Sequence, residues 1–354
     1  MRIASAASAF PKHYYSQKVL LERLQDYWGA QLQNPLLLAR LHRNVTVDGR
    51  YLAIPAEEYV DIKTWGQAND IWIRVAQELG ERALCLALHN SGISPEALGA
   101  LFFTTVTGVA SPSIDALLIN RIGLSKTIRR TPIFGLGCVA GAAGIARCED
   151  YVRAYPSQAA ALVSVELCSL TLQREDLSVA NLISSGLFAD GAAAVVVTGA
   201  DFESKGPEIT GPKILATRSV FYPSTEEMMG WSISEKGFRI ILSTEVPTLI
   251  RENLGRDVDA FLADNGLKRC DLQSWVLHTG GPKVLEAYAD ALGLHDGELK
   301  ASWDCLRKVG NLSSASVLVV LEDVMKNRRP APGTLGLLAA MGPGFCSELL
   351  LLQW

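Results

Sequence analysis

The sequence lacks both an apolar run long enough to cross a membrane and a recognisable export signal. Its predominantly apolar stretches, such as 192–197 and 316–321, are far shorter than the roughly 20 residues that a membrane helix needs. Residues 1–15 contain no continuous apolar segment like the core of a signal peptide. We therefore expect a cytoplasmic protein with no membrane span.

An excess of charge of one sign is also absent. The 33 Lys and Arg residues nearly balance the 37 Asp and Glu residues, for a net charge of -4. This balance argues against a nucleic-acid-binding protein that acts through bulk positive charge. The seven cysteines are odd in number and none stands in a Cys-x-x-Cys pair, so we expect neither a zinc site nor a disulfide framework. Scattered cysteines of this kind are typical of a reducing compartment.

What the sequence does contain is a repeated alternation of strand and helix patterns over its 354 residues. Short apolar, β-branched runs alternate with helical stretches, which predicts a layered α/β fold with mainly parallel strands. The second half repeats the element order of the first, which suggests an internal duplication. We predict one half at 1–205 and the other at 206–354, with the Gly- and Pro-containing segment 206–212 at the boundary. A long helix is expected at 65–90 in the first half, and helices are expected at 240–254 and 257–265 in the second.

One segment, Phe-Gly-Leu-Gly-Cys-Val-Ala-Gly-Ala-Ala-Gly at 134–144, combines a glycine turn with a single cysteine. A short strand pattern leads into the turn, and a helix is predicted from Val139 onward. A thiol in the first turn of a helix lies near unpaired backbone N–H groups and the positive end of the helix dipole. That environment lowers a thiol pKa and favours a nucleophilic thiolate, so Cys138 is a candidate nucleophile. The alternative is a buried cysteine on a packing helix of small residues.

A histidine and an asparagine stand at comparable positions in the second half. Four of the five histidines lie in polar or turn-like surroundings and are expected to face solvent: His13, His42, His89 and His295. His278 instead closes an apolar strand pattern before a glycine pair, and ligands bind at the ends of strands in α/β sheets. A structural histidine is the alternative. Asn311 precedes a predicted helix, either as its cap or as a hydrogen-bond donor to a carbonyl oxygen. Cysteine, histidine and asparagine together suit thioester chemistry.

Four motifs carry a resemblance to a known family. Cys138 stands in Gly-Cys-Val-Ala-Gly, His278 in His-Thr-Gly-Gly-Pro and Asn311 in Gly-Asn-Leu-Ser-Ser-Ala-Ser, followed by Met-Gly-Pro-Gly-Phe at 341–345. These blocks resemble, in order, the catalytic motifs and the C-terminal loop of type III polyketide synthases, the chalcone-synthase-like group of the thiolase superfamily. The resemblance extends from about residue 3 to 354. It implies a thiolase-like, five-layered αβαβα fold built from two duplicated halves, and a homodimer.

The resemblance also implies a mechanism. The Cys138 thiolate, paired with a His278 imidazolium, takes the acyl group of a starter acyl-CoA. His278 and Asn311 then hydrogen-bond the thioester carbonyl of malonyl-CoA while it loses CO2. The resulting enolate attacks the thioester on Cys138. Acyl-CoA and malonyl-CoA are the expected substrates, with no further cofactor and no metal.

Residues that shape the substrate site are transferred position by position from the same resemblance. Phe188 matches a gatekeeping phenylalanine, and Ile240 stands where a second one is usual. The other expected substrate-site residues are Glu166, Cys168, Thr171, Trp231, Gly280, Gly281, Ser313, Met341, Gly342, Pro343 and Gly344. Met341 departs from the family pattern, which has phenylalanine there. Arg40 matches a residue that contacts CoA phosphates. Arg43 and Arg50 stand near it in the sequence, so the three arginines are candidates for a surface cluster that holds phosphates.

The segments 3–15 and 229–234 look closer to bacterial long-chain alkylpyrone and alkylresorcinol synthases than to plant chalcone synthases. We therefore expect a fatty acyl-CoA starter, several malonyl-CoA extensions and closure to an alkylpyrone or alkylresorcinol. The same residue types leave alternatives open. They are a 3-oxoacyl-[acyl-carrier-protein] synthase III, a papain-like hydrolase and a non-catalytic binding protein with a thiolase fold.

Overall fold

A computed structural model describes residues 1–32, 34–204, 206, 208–295 and 297–354. The elements of the first half are, in order, β1 (Arg2–Ala9), β2 (His13–Ser16), α1 (Gln17–Trp28), α2 (Pro35–Asn44), β3 (Gly49–Leu52), α3 (Trp65–Ser91), β4 (Leu98–Thr105), α4 (Ile114–Ile122), β5 (Arg129–Phe134), α5 (Ala140–Ala154), β6 (Ala159–Leu167), α6 (Val179–Leu187) and β7 (Asp190–Thr198). Those of the second half are β8 (Lys213–Phe221), β9 (Met229–Ser234), β10 (Gly237–Leu242), α7 (Val246–Asp264), β11 (Leu272–Leu277), α8 (Pro282–Leu292), α9 (Lys300–Val309), α10 (Ser316–Asn327), β12 (Leu335–Gly342) and β13 (Cys346–Gln353).

The strands form a nine-stranded sheet in the order β11-β12-β13-β8-β1-β7-β6-β4-β5. The two halves of this sheet are joined at the β1–β8 edge, where Arg2 pairs with Lys213. Helices α5 and α10 pack between the two half-sheets in one apolar core, whereas α3 and α4 cover one outer face and α7 and α8 cover the other. The five layers therefore run α-β-α-β-α, as the family resemblance implies.

Strand direction differs from the expectation of a mainly parallel sheet. The pairs β4–β5, β4–β6 and β11–β12 are parallel, but β1–β7, β6–β7, β1–β8, β8–β13 and β12–β13 are antiparallel. Helix α6, between β6 and β7, packs against α2 and β10 instead of crossing the sheet face. The chain therefore re-enters the sheet at the end where it left, and this makes the pair antiparallel.

The two halves repeat one topology. The order β1-β7-β6-β4 corresponds to β8-β13-β12-β11, with the same sequence of antiparallel, antiparallel and parallel pairs. Helices α3 and α7 follow the first strand of each half, and α5 and α10 precede the equivalent strands β6 and β12. The boundary between 205 and 206 stays a prediction, since Lys205 lies outside the described residues.

The helices expected at 240–254 and 257–265 are wrong in their bounds. Residues 237–242 form a strand that pairs with β9, and one continuous helix, α7, follows. Pro247 lies in the first turn of α7, where its fixed φ favours a helix start. Gly255 does not interrupt this helix. A Cβ there would lie 2.5 Å from the carbonyl oxygen of Ala291, so the glycine allows α7 and α8 to pack closely.

Candidate active site

Cys138 lies in a tight 3-10 turn, Gly137–Val139, immediately before α5. Gly135 and Gly137 have φ values of 97° and 52°, a region that favours glycine. A Cβ on Gly137 would also lie 2.7 Å from the ring of Pro343. The Cys138 side chain is buried, and its Sγ lies 3.7 Å from Oγ of Ser313. The turn therefore places the sulfur against the segment that carries Asn311.

Asn311 is held by both its backbone and its side chain. Its N–H donates to the carbonyl of Leu187 and its carbonyl accepts from Ala189, each at 2.9 Å. Its Oδ1 accepts from the backbone N–H of Ser313 at 2.8 Å and from Oγ of Ser316 at 3.2 Å. The helix-cap interpretation is thus correct for Oδ1. The same bonds orient the amide so that Nδ2 is the group left to act as a donor.

His278 follows β11 and is held through its backbone N–H, which donates to the carbonyl of Ala339 at 3.1 Å. Its side chain is 2 % exposed, yet neither ring nitrogen has a hydrogen-bond partner in the described part of the chain. The next turn includes Gly281, whose φ is 132° and whose Cβ position lies 3.4 Å from Leu187. The turn after His278 thus contacts Leu187, whose carbonyl accepts the hydrogen bond from the N–H of Asn311. A buried imidazole without a partner is available to a substrate.

The C-terminal loop completes this arrangement. Gly342 ends β12, and a Cβ there would lie 2.6 Å from the carbonyl oxygen of Leu136 and from the N–H of Val139. The glycine thus lets the loop lie directly against the cysteine turn. Since β12 also pairs with β11, one set of contacts links the segments of Cys138, His278 and Asn311 around a buried centre.

The ionisation states differ from the expected ion pair. Burial raises the pKa of the Cys138 thiol to about 12 and lowers the pKa of His278 to about 3. Desolvation disfavours the charged form of each group, and it outweighs the favourable position of the sulfur ahead of α5. Burial therefore favours a neutral thiol and a neutral imidazole, and it raises the thiol pKa, whereas the sequence predicts a lowered one.

The raised pKa predicts how Cys138 reacts with iodoacetamide. Only the thiolate reacts, so we expect slow labelling at pH 7 and a rate that rises by about tenfold per pH unit toward pH 9. The exposed Cys270 should be labelled first. Peptide mapping by mass spectrometry over this pH range measures both rates. Preferential labelling of Cys138 at pH 7 would contradict the neutral pair.

A cavity of about 420 Å³ lies in the first half of the protein, walled in part by the β9–β10 hairpin. Among the expected substrate-site residues, those that line it are Cys168, Thr171, Phe188, Trp231 and Ile240. Phe188 forms a parallel bridge with Asn311, so this cavity adjoins the buried centre.

The other expected substrate-site residues do not line this cavity, and most of them adjoin the buried centre. Ser313 contacts Cys138, and Gly280 and Gly281 form the turn after His278. Met341 is buried in the outer core between the second half-sheet and α7 and α8. Glu166 is fully buried and accepts hydrogen bonds from the backbone of Val106 and the hydroxyls of Thr107 and Ser314. Burial raises its pKa to about 7. 

Two expectations about basic residues need correction. His42 does not face solvent, because α2 packs against α6, and its exposed fraction is only 1 %. Its Nε2 lies 3.1 Å from Oγ of Ser185, within hydrogen-bond distance. Burial lowers the pKa of His42 to about 3. Arg50 is 3 % exposed and lines the cavity, so it cannot join Arg40 and Arg43, which are exposed on α2, in a surface phosphate site.

Sequence reasoning missed the wall of the cavity that α1 supplies. Leu20, Leu24 and Tyr27 line it, together with Tyr59 and Val60 from the segment before α3. The three α1 residues stand at i, i+4 and i+7, the spacing of one helix face. That signal was present in the sequence, but it did not distinguish a face that lines a cavity from one that packs on a core.

The fold and this buried centre define a condensing enzyme of the thiolase type. Two family models match successive parts of the chain: "Chalcone and stilbene synthases, N-terminal domain" matches residues 30–202, and the corresponding C-terminal domain matches 213–354. The chain belongs to the chalcone and stilbene synthase family and is a type III polyketide synthase, an acyltransferase that uses acyl-CoA and malonyl-CoA. Family membership sets aside the papain-like hydrolase and favours this class over the carrier-protein-dependent synthase.

Individual relatives span almost the whole chain. A 1,3,6,8-tetrahydroxynaphthalene synthase of Streptomyces peucetius subsp. caesius is 48% identical over 99% of this chain and 93% of its own length. A putative chalcone synthase of Bacillus subtilis is 35% identical over 99% of this chain and 98% of its own length. The crystal structure of 1,3,6,8-tetrahydroxynaphthalene synthase from Streptomyces coelicolor A3(2) superposes with a TM-score of 0.94 at 29% identity, covering 100% of this chain and 99% of that one. The thiolase-like fold is therefore confirmed.

Two kinds of feature are absent from the part of the chain that the structure describes. No helix there is both long and apolar enough to cross a membrane. Those residues also contain no group of three or more His, Cys, Asp and Glu side chains placed to hold a metal ion.

Proposed function

We propose that this enzyme condenses a medium- or long-chain fatty acyl-CoA starter with several malonyl-CoA units and closes the product to an alkylpyrone or alkylresorcinol. Cys138 carries the chain, and His278 and Asn311 assist each condensation. The observation that carries this proposal is the largely apolar cavity next to Phe188. No cofactor beyond the CoA thioesters takes part.

Loading of the starter is a thioester exchange. Sγ of Cys138 attacks the acyl carbonyl while His278, neutral before binding, accepts the thiol proton. The new C–S bond forms, the bond to CoA breaks, and the proton passes to the departing CoA thiolate. Proton transfer creates thiolate and imidazolium only during attack, so neither charge is buried alone in the resting site.

Extension begins with malonyl-CoA in the same site. The bond between its carboxylate carbon and C2 breaks, CO2 leaves, and the electron pair moves onto the thioester oxygen as an enolate. Nδ2 of Asn311 and an N–H of His278 donate to that oxygen, where negative charge develops. C2 then attacks the acyl carbonyl on Cys138, a C–C bond forms, and the Cys138 thiolate departs and takes up a proton. The longer chain returns to the sulfur by the loading reaction.

The character of the cavity supports a fatty starter. Six of its lining residues have branched aliphatic side chains, and they come from five different segments: Leu20, Leu24, Leu52, Val60, Leu172 and Ile240. Burial of an alkyl chain against such surface is favourable by about 0.8 kcal/mol per methylene. A pocket of this composition therefore favours long acyl chains over acetyl groups.

A second candidate starts from malonyl-CoA itself and makes a hydroxylated aromatic. It is favoured by the 48% identical relative, which is named a tetrahydroxynaphthalene synthase. Other relatives of that name are 32% and 29% identical to this chain, and a phloroglucinol synthase of Pseudomonas fluorescens is 30% identical. Sequence identity to these relatives therefore does not distinguish a tetrahydroxynaphthalene product from a phloroglucinol product.

Product analysis by mass spectrometry distinguishes the two candidates. Malonyl-CoA is supplied alone or with starters from acetyl-CoA to dodecanoyl-CoA and longer. The fatty-starter proposal predicts alkylated pyrones or resorcinols, with the highest kcat/KM for medium or long chains. A naphthalene product from malonyl-CoA alone, with no incorporation of fatty starters, would overturn it.

Ile240 offers a test of the cavity itself. Ile240→Phe adds an aromatic ring to the wall, and we expect the kcat/KM ratio of dodecanoyl-CoA to acetyl-CoA to fall by about tenfold. Ile241→Phe is the matched control, because the next residue of β10 points to the opposite face and does not line the cavity. An equal loss for both starters in Ile240→Phe would contradict the assignment.

We also propose that the enzyme is a homodimer. In the described residues, β5 is the last strand of the sheet, and five of its six residues are exposed. An exposed edge strand is a template for pairing with another chain. Light scattering after size-exclusion chromatography should give twice the mass of 38.2 kDa; a monomer at micromolar concentration would contradict the proposal.

A further inference from the structure

Arg50 is a buried cation in the wall of a largely apolar cavity. It lies in β3, is 3 % exposed, and lines the cavity beside Phe188. Burial lowers its pKa to about 10, so the guanidinium remains charged at pH 7. Buried arginines ordinarily have acceptors for their N–H groups, and the partners of this one are therefore informative.

The protein satisfies this guanidinium only in part. Nη1 donates to the carbonyl of Phe188 at 2.9 Å, whereas Nε is buried without a partner in the described part of the chain. Asp190 supplies the nearby negative charge, but other donors occupy its two oxygens. Oδ1 accepts from the N–H of Ser169 at 2.8 Å, and Oδ2 accepts from Ala53 at 2.6 Å and from the Ser169 hydroxyl.

A second polar group on the cavity wall is also unpaired. Oγ of Ser184, on α6, is buried without a hydrogen-bond partner among the described residues. The wall therefore presents one buried charged donor, Arg50, and one buried hydroxyl, Ser184, that lack a partner, next to side chains that suit an alkyl chain. An unpaired buried donor is unfavourable unless a ligand supplies the acceptor.

The position of Arg50 indicates which part of a ligand it meets. The Cβ of Arg50 lies 3.8 Å from the Cβ position of Gly310, the residue before Asn311, and its Nη1 holds the residue that bridges to Asn311. Arg50 thus lies on the side of the cavity next to the buried centre. A fatty starter has no oxygen beyond its thioester, but each extension adds a keto oxygen close to that end.

We propose that Arg50 and Ser184 form a subsite that hydrogen-bonds keto oxygens of the growing β-keto acyl chain and thereby sets how many malonyl units are added. This inference rests on the proposed function, because its ligand is the intermediate of that reaction. The subsite acts only after the first extension. It stabilises longer intermediates relative to release or cyclisation of shorter ones.

The test compares product lengths from dodecanoyl-CoA and malonyl-CoA in the full-length enzyme and its variants. In Arg50→Lys and Arg50→Gln we expect the ratio of longer to shorter polyketides to fall by about tenfold or more, as for loss of a charged hydrogen bond. Starter loading of Cys138, followed by intact-protein mass, and malonyl-CoA decarboxylation should stay within about twofold, because the subsite acts later. Ser184→Ala should shift the ratio in the same direction by a smaller factor.

Arg23→Gln is the matched control. Arg23 is an exposed arginine at the rim of the same cavity, where it pairs with Glu57 at 3.6 Å, and its loss should leave the product ratio unchanged. If Arg50 merely holds the Phe188 carbonyl, loading and decarboxylation fall together and the product ratio is preserved; that result overturns the proposal.

The remaining outcomes are also decisive. If the unmodified enzyme makes no polyketide from dodecanoyl-CoA, the proposed fatty-starter function fails. If it does, and the Arg50 variants fold yet give unchanged product lengths, only the subsite is overturned. If the Arg50 variants do not fold, as judged by thermal unfolding, Ser184→Ala decides, and an unchanged ratio there overturns the subsite.

Discussion

Replacing Cys138 by alanine is expected to abolish polyketide formation, with a loss of about 1,000-fold or more, because no other group can carry the acyl chain. Malonyl-CoA decarboxylation should persist at a measurable rate, since His278 and Asn311 remain in place to stabilise the enolate. Intact-protein mass spectrometry with acyl-CoA should show no acyl adduct. Product and CO2 release are measured in parallel on the same preparation.

Cys148→Ala is the matched control for this substitution. Cys148 lies on α5, only ten positions further along the chain, and is fully buried in the central core. Its truncation removes a buried sulfur, so it should lower stability modestly and leave acyl loading intact. Formation of polyketide by Cys138→Ala at a rate near that of the unmodified enzyme would refute the role of Cys138.

Substitution of Asn311 should have the second largest effect. Asn311→Ala removes the Nδ2 donor, and we expect malonyl-CoA decarboxylation to fall by about 100- to 1,000-fold, as for loss of one oxyanion donor. Starter loading should fall less, because it depends mainly on Cys138 and His278. Initial rates of CO2 release and of acyl-enzyme formation measure the two steps separately.

The Asn311→Ala substitution removes the Nδ2 donor, but it also affects stability, because Oδ1 of Asn311 accepts hydrogen bonds from Ser313 and Ser316. The two effects must be measured separately. Alanine removes both bonds and should also lower the free energy of unfolding by about 1–3 kcal/mol. Asn311→Asp keeps an acceptor for these two groups and replaces the donor by an oxygen. We expect it to fold more stably than Asn311→Ala and to decarboxylate as poorly. Normal decarboxylation by Asn311→Asp would show that Nδ2 does not act on malonyl-CoA.

Much of the fold followed from local patterns. The long helix α3 was expected at 65–90 and is found at Trp65–Ser91, because its capping residues and apolar face are local signals. The prediction of strand direction, mainly parallel, was wrong. A run of β-branched residues reports that a strand is buried but not which way its neighbours run. That depends on where α6 packs, a contact between segments distant in sequence.

The β9–β10 hairpin, which carries Ile240, also depends on a contact that local sequence patterns do not contain. Its apolar residues suit a helix or a strand, and the strand forms because β9 supplies partners for its backbone groups. His42 is another case. Its sequence neighbours are polar, but the face of α2 that carries it packs against α6, and only that contact excludes water from the imidazole.

The sequence alone determined most of the order of the elements, the positions of Cys138, His278 and Asn311 at turns, and the family. The tertiary structure decided which of these groups are charged. A helix start favours a thiolate locally, yet the surroundings that bury Cys138 and His278 come from other segments, and the desolvation they impose is larger. The tertiary structure also places α1 and the buried Arg50 in the wall of one cavity. A pKa and a cavity wall depend on distances between segments far apart in the chain, and local patterns do not contain those distances.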